Sequence, residues 1–156
     1  IPGAMRTFLK ERRDRIMDIS QFVVDVLGVE SDFIPEGGRR ITYHDACHLN
    51  HGMGVRSQPR ELILLNPDYE LVEMENPGQC CGCGGGFCIS HPKLADRISA
   101  RKTAGILNAD VEEVAVACMG CMAQITDALS RAGHPMRVRH VAEVYADTLP
   151  AQGEFW

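Results

Sequence analysis

The stretch "GQCCGCGGGFC", residues 78–88, carries four cysteines and five glycines in eleven positions. Neither helix nor strand suits that composition, because glycine weakens both and the thiols follow neither a 3.6 nor a 2.0 period. It reads as a turn whose backbone approaches something closely. Cys80 and Cys81 are neighbours in the chain, and a disulfide between neighbours is strained, so the pair must look for partners elsewhere.

Two other places supply them. "ITYHDAC" (41–47) reads as a short strand ending at Cys47, and "EEVAVAC" (112–118) as a buried strand ending at Cys118, with Cys121 just beyond. "YELVEM" (69–74) is a third strand, and it runs into the opening stretch. The remaining segments have helical spacing. Residues 5–27 carry an apolar stripe with Gly28 as its stop and Asp18 or Ser20 as a division into two helices. "SQPRELILL" (57–65) has Ser57 as cap and Pro59 in its first turn. "SHPKLADRISARKTAGILNA" starts at Ser90 as cap and buries Leu94, Ile98 and Ile106. "CMAQITDALSRAG" closes at Gly133, and "MRVRHV" and "VAEVYADTL" form a last strand and a last helix. This alternation predicts an α/β fold, a small and mainly parallel sheet of about four strands flanked by helices. Every cysteine group then lies at or just beyond the carboxyl end of a strand. In a parallel sheet those ends share one edge, where ligands collect.

The chain is 156 residues long, enough for one core, with 45 % hydrophobic and 24 % charged residues. Residues 1–39 are expected to form an amino-terminal helical segment that packs on or links to a single unit, residues 40–156. Net charge is −5, with basic residues scattered among acids, which argues against nucleic acid as the main partner. Apolar runs such as "QFVVDVLGV" are broken well before the length of a membrane span. Seven cysteines make an odd number, which favours a reducing, cytoplasmic setting and metal or redox use over a disulfide scaffold.

Five thiols read C-x32-C-C-x36-C-x2-C, taking in Cys47, Cys80, Cys81, Cys118 and Cys121. A C-x-x-C turn suits zinc and iron–sulfur sites alike. Adjacent cysteines tend to diverge and suit two irons of a cluster better than one tetrahedral ion, and five thiolates exceed the four that zinc requires. Gly82 and the glycines at 84–86 permit backbone N–H groups to reach sulfur, which raises a reduction potential. The helix beginning near Cys121 adds partial positive charge. Two other readings stay open: a thioredoxin-like C-x-x-C at Cys118 and Cys121, which leaves three thiols unexplained, and a structural zinc module for docking subunits.

The five-cysteine pattern, with "YHDACHLNHGMGVRSQPREL" and "ELVEM…CCG", resembles the cysteine-rich CCG domain of heterodisulfide reductases and of the iron–sulfur subunits of glycolate and lactate oxidoreductases. The resemblance covers residues 40–125. It implies that the five cysteines bind a [4Fe–4S] cluster, in some members of a non-cubane form. It also implies a carboxyl-terminal CCG copy cut from a longer electron-transfer subunit. The partners it implies are other iron–sulfur domains and a flavoprotein subunit, which holds FAD and oxidises a 2-hydroxy acid such as glycolate or lactate. Association with the inner face of a membrane would come through those partners. Direct disulfide chemistry at the cluster is the heterodisulfide reductase alternative.

Cys83 and Cys88 are extra to the pattern. Cys83 is either an alternate ligand or a free thiol, and Cys88 reads as packing. Among the histidines around Cys47 (His44, His48 and His51), His48 is the one expected to influence the cluster or relay a proton. Arg56 and Arg60 read as a solvated helix face.

Overall fold

The computed structural model describes residues 16–30 and 37–150. Four strands, β1 (Arg39–His44), β2 (Tyr69–Leu71), β3 (Glu113–Val116) and β4 (Arg137–His140), form one sheet in the order β2-β1-β3-β4, every pair parallel. The helices among the described residues are α1 (Ile19–Gln21, continued by a π-helical stretch Phe22–Val26), α2 (Gln58–Leu64), α3 (Phe87–Ser90), α4 (Pro92–Asn108), α5 (Met119–Arg131) and α6 (Val141–Ala146). A π-helical turn, His48–Met53, follows β1 directly. The fold is the α/β arrangement that the alternation predicts.

Strand β3 is buried at all four positions, because it is an inner strand with helices on both faces. The two-residue period sorts its side chains. Ala115 joins Ile41 and Tyr43 of β1 on one face, against Val23, Leu62, Val141 and Val144. Val114 and Val116 point the other way, against Ile106, Ile125 and Leu129 of α4 and α5. The same alternation in β1 sends Thr42 and His44 to the α4/α5 face. At the amino ends of the strands, the buried Glu113 accepts from Arg39 (2.7 Å) and from the Tyr69 hydroxyl (3.0 Å), and Arg139 donates to that hydroxyl (3.0 Å) and to Asp147 (2.5 Å). This network pairs ions that would be costly to bury singly.

Several local expectations change. Helix α1 starts at Asp18, whose carboxylate accepts the Ser20 N–H (2.9 Å) while Gln21 reaches back to the Asp18 N–H, so Asp18 rather than Ser20 is the cap. The part of the predicted stripe before residue 16 lies outside the described residues. Ser57 occupies the cap position of α2 with helical backbone angles and makes no capping bond. Strand β2 ends at Leu71 rather than at 74, because the Met74 N–H turns to the Thr42 hydroxyl (3.1 Å). The chain nevertheless stays beside β1, as the Asp45 N–H donates to the Pro77 carbonyl (3.1 Å). Ser90 belongs to α3, and His91 takes the position before α4. The buried face of α4 is Ala95, Ser99, Lys102, Thr103 and Ile106, with Leu94 exposed. Small residues there let the helix backbone come close to Gly82, which an apolar stripe of large side chains would prevent.

The sheet order carries the functional consequence. From β1 the chain moves outward to β2, then crosses to β3 on the other side of β1. The reversal opens a crevice beyond the carboxyl ends of β1 and β3, the usual ligand position in an open α/β sheet. No helix among the described residues is long and apolar enough to cross a membrane.

Candidate metal centre

The crevice is a cavity of about 250 Å³ whose walls include Cys47, Cys80, Cys81, Cys83, Cys118 and Cys121, with His44, His48 and Gly120. Each group arrives by a different local route. Cys47 leads into the π-helical turn after β1, and Cys118 is the residue before α5 and has extended backbone. Cys121 lies in the first turn of α5, where unpaired backbone N–H groups carry partial positive charge. Cys80 and Cys81 come from the glycine turn, which is anchored to β1 through Pro77. Among these, Cys81 and Cys121 are buried, Cys118 and Cys83 half-buried, and Cys47 and Cys80 exposed. All seven cysteines are free thiols among the described residues.

Backbone geometry turns the turn towards its own sulfurs. The Gly82 N–H donates to Cys80 Sγ (3.3 Å), and the Cys83 N–H to Cys81 Sγ (3.5 Å). Gly82 has φ +96 and lies against α4, where a β-carbon would stand 2.7 Å from the Ala95 carbonyl oxygen. Gly120 is needed for space: a β-carbon there would lie 3.1 Å from Cys83 Sγ and 3.8 Å from Cys118 Sγ.

The inner wall is formed by His44, Cys81 and Cys121, whose donor atoms lie within 4.8 Å of one another. The sulfurs of Cys81 and Cys121 are 3.1 Å apart. Two thiolates so close repel, so one proton stays with the pair. Sharing that proton lowers Cys81 and, with burial, raises Cys121. His44 is 1 % exposed, and neither ring nitrogen has a hydrogen-bond partner among the described residues. A buried imidazole with both nitrogens idle is costly, which marks the site as one that expects a further group. His48, the histidine favoured from the sequence, is exposed and lines the rim. In sequence His44 is one of three histidines around Cys47; its burial at the end of β1 is what selects it.

Thiolates and one imidazole are a soft donor set, suited to zinc or to an iron–sulfur cluster. Among the described residues, three donors sit within reach of a single ion, whereas the remaining thiols are spread over a cavity far larger than one ion needs. The residues therefore fit a group of several atoms. The Cys118–Cys121 pair does not stand alone as a thioredoxin-like motif would, because Cys121 faces Cys81.

Beneath the turn lies a charge that the sequence does not announce. Lys102 is 1 % exposed, and its ammonium donates to the carbonyls of Asn76 (2.9 Å) and Pro77 (3.0 Å). Burial pushes it down to about 8, against the attraction of Asp45 and the site thiolates. The unfolded chain keeps the proton up to about 10.5, so burial costs most below pH 8 and the cost is relieved between 8 and 10.5. The stability of the metal-free protein relative to Lys102→Met is expected to rise by about 2–3 kcal/mol from pH 7 to pH 10, read by urea unfolding. A flat difference would contradict this account of the buried charge. Arg60 also departs from expectation. It is bound to Asp45 (2.8 Å) and Glu73 and lies 5.0 Å over the Tyr43 ring, so it braces the turn after β1 rather than facing solvent.

Comparison with known proteins follows the same span. The chain is 37 % identical over 118 residues to a subunit of the fumarate reductase (CoM/CoB) of Methanothermobacter marburgensis, covering 76 % of this chain and 24 % of that protein. It is 36 % identical over 127 residues to lactate utilization protein A of Geobacillus kaustophilus, covering 81 % and 53 %. An uncharacterized iron-sulfur protein of Methanococcus maripaludis is 36 % identical over 129 residues, covering 83 % and 26 %. The chain thus spans between about a quarter and about half the length of these relatives. The profile of the CCG family, described as a cysteine-rich domain, matches residues 41–126. That span is more than half of the chain and takes in most of β1, the glycine turn, β3 and all five spaced cysteines, so the chain belongs to the cysteine-rich CCG domain family.

Proposed function

We propose that this chain is an iron–sulfur electron-transfer domain of an oxidoreductase, with Cys47, Cys80, Cys81, Cys118 and Cys121 as ligands of a [4Fe–4S] cluster, in cubane or non-cubane form. The observation that carries the reading is the convergence of these five thiols with an unpartnered buried imidazole at the switch point of the sheet. The bound cluster supplies a one-electron redox couple. The chain's own residues set its surroundings. N–H groups of the turn donate to the sulfurs, and the partial positive charge of the first turn of α5, which carries Cys121, adds to them in favouring negative charge. Lys102 places an ammonium beneath the same turn. The exposed Cys47 and Cys80 leave one side open to a partner, while Cys81, Cys121 and His44 form the closed wall.

Similarity to lactate utilization protein A favours a parent enzyme that handles a 2-hydroxy acid. Electrons would arrive from a flavoprotein subunit carrying FAD and pass through further iron–sulfur domains to a carrier. The setting is cytoplasmic, at the inner face of a membrane where such partners bind there. Similarity to the fumarate reductase (CoM/CoB) relative, together with the open cavity, favours a second reading in which a disulfide substrate is handled at the site.

Anaerobic loading with iron and sulfide is the test. About four irons and four sulfides per chain are expected, with an electron paramagnetic resonance signal of the cluster. Cys81→Ser should lose most of both, since the Cys81 sulfur is buried in the inner wall with His44 and Cys121. One zinc and no sulfide under the same conditions would overturn the reading and leave a structural module. Loss of the reduced cluster's paramagnetic signal on adding a quinone analogue, but not on adding an alkyl disulfide, would separate the first reading from the second.

A further inference from the structure

Two thiols stand outside the five-cysteine set, and the fold sets them beside each other. Cys83 and Cys88 bracket the three glycines 84–86. The Cys88 N–H donates to the Cys83 carbonyl (3.1 Å), which closes the segment into one tight turn. Positive φ at Gly84 (51) and Gly85 (63) allows that closure. Both thiols then reach the same acceptor, the Gly85 carbonyl oxygen, at 3.9 Å from Cys83 Sγ and 3.5 Å from Cys88 Sγ. They face different spaces. Cys83 lines the site cavity, whereas Cys88 lines a separate groove over α4 and α5. Both are half-buried, and Cys88 belongs to neither core cluster among the described residues.

We propose that Cys83 and Cys88 are a redox-active dithiol that closes to an intramolecular disulfide across the glycine turn when the chain meets a disulfide oxidant. The backbone bond between the two residues keeps them together, and rotation about their Cα–Cβ bonds is the movement that brings the sulfurs into contact. The outer thiolate, Cys88, attacks one sulfur of a low-molecular-weight disulfide. That S–S bond breaks, one thiol leaves, and a mixed disulfide forms on Cys88. Cys83 then attacks the Cys88 sulfur and releases the second thiol. Two electrons and two protons pass from the pair to the oxidant, which becomes two thiols. Closing withdraws the Cys83 sulfur from the site cavity, so the site keeps only the five thiols of the spaced set. This modification site does not depend on what the five thiols bind.

The test uses the full chain, both iron-loaded and metal-free, incubated anaerobically with oxidised glutathione. It is then alkylated, denatured and cut with chymotrypsin. Cleavage after Phe87 puts the two cysteines on different peptides. The expected result is a linked pair that separates only on reduction, with fragment masses placing the link at Cys83, in both the loaded and the metal-free protein. Cys83→Ser and Cys88→Ser should each instead hold one glutathione on the remaining cysteine. Separate glutathione adducts on both cysteines, no change at either, a link from Cys88 to Cys80 or Cys81, or protection of Cys83 in the loaded protein would each overturn the proposal. Failure to load iron would sink the cluster reading and leave this result readable in the metal-free chain.

Discussion

Gly82→Ala is expected to destabilise the domain by about 3–5 kcal/mol, a loss comparable with the whole stability of a small domain. Two separate terms add. The backbone at φ +96 is a conformation that an L side chain adopts only under strain, of order 1–3 kcal/mol. The new β-carbon would also stand 2.7 Å from the Ala95 carbonyl oxygen, 3.3 Å from the Ser99 nitrogen and 3.4 Å from its β-carbon, so α4 would have to move. Overpacking of that kind costs about 1–3 kcal/mol. Gly85→Ala is the control, because Gly85 has positive φ (63) but nothing within 4 Å of the new carbon. It should lose about 1–2 kcal/mol from strain alone. Denaturant unfolding of the two metal-free variants separates the terms, and equal losses would show that contact with α4 is not what requires glycine at 82. The variant that shifts α4 should also load iron poorly, since α4 and the turn carrying Cys80 and Cys81 are packed together.

The second large effect moves stability and binding in opposite directions. His44→Leu should stabilise the metal-free protein by about 1 kcal/mol, because it removes two buried ring nitrogens without breaking any hydrogen bond among the described residues. For a chain of this size that raises Tm by about 2–4 °C. The same variant should lose iron to a chelator at least about tenfold faster than wild type, the range seen when groups supporting metal ligands are removed. A destabilised variant with unchanged iron retention would mean that His44 is a packing residue with an unseen partner. Such a trade of stability for a site is expected where a buried polar group is kept for what it binds.

How much of this was legible beforehand differs by residue. The five cysteines could be gathered at one edge of a sheet from sequence, because strand and helix signals are local and parallel strands put their carboxyl ends together. His44 could not be preferred over His48, since the decision rests on where β1 stops and on what the buried face of its last residue meets. The buried face of α4 was misread for a related reason. Hydrophobic spacing favours Leu94 and Ile98, but close approach to Gly82 requires Ala95 and Ser99 at the contact. Arg60 reads as a solvent-facing charge until Asp45 and Glu73 are brought against it, and nothing local marks Lys102 before the carbonyls of Asn76 and Pro77 meet it.

The sequence by itself determined the order of strands and helices, the α/β class and the set of thiols, because propensity, periodicity and thiol chemistry involve neighbours in the chain. Only the tertiary structure decided that β3 lies beside β1, that His44 faces Cys81 and Cys121, and that Lys102 is buried beneath the turn. Those outcomes depend on contacts between residues tens of positions apart, and no local preference encodes which distant surface a side chain will meet.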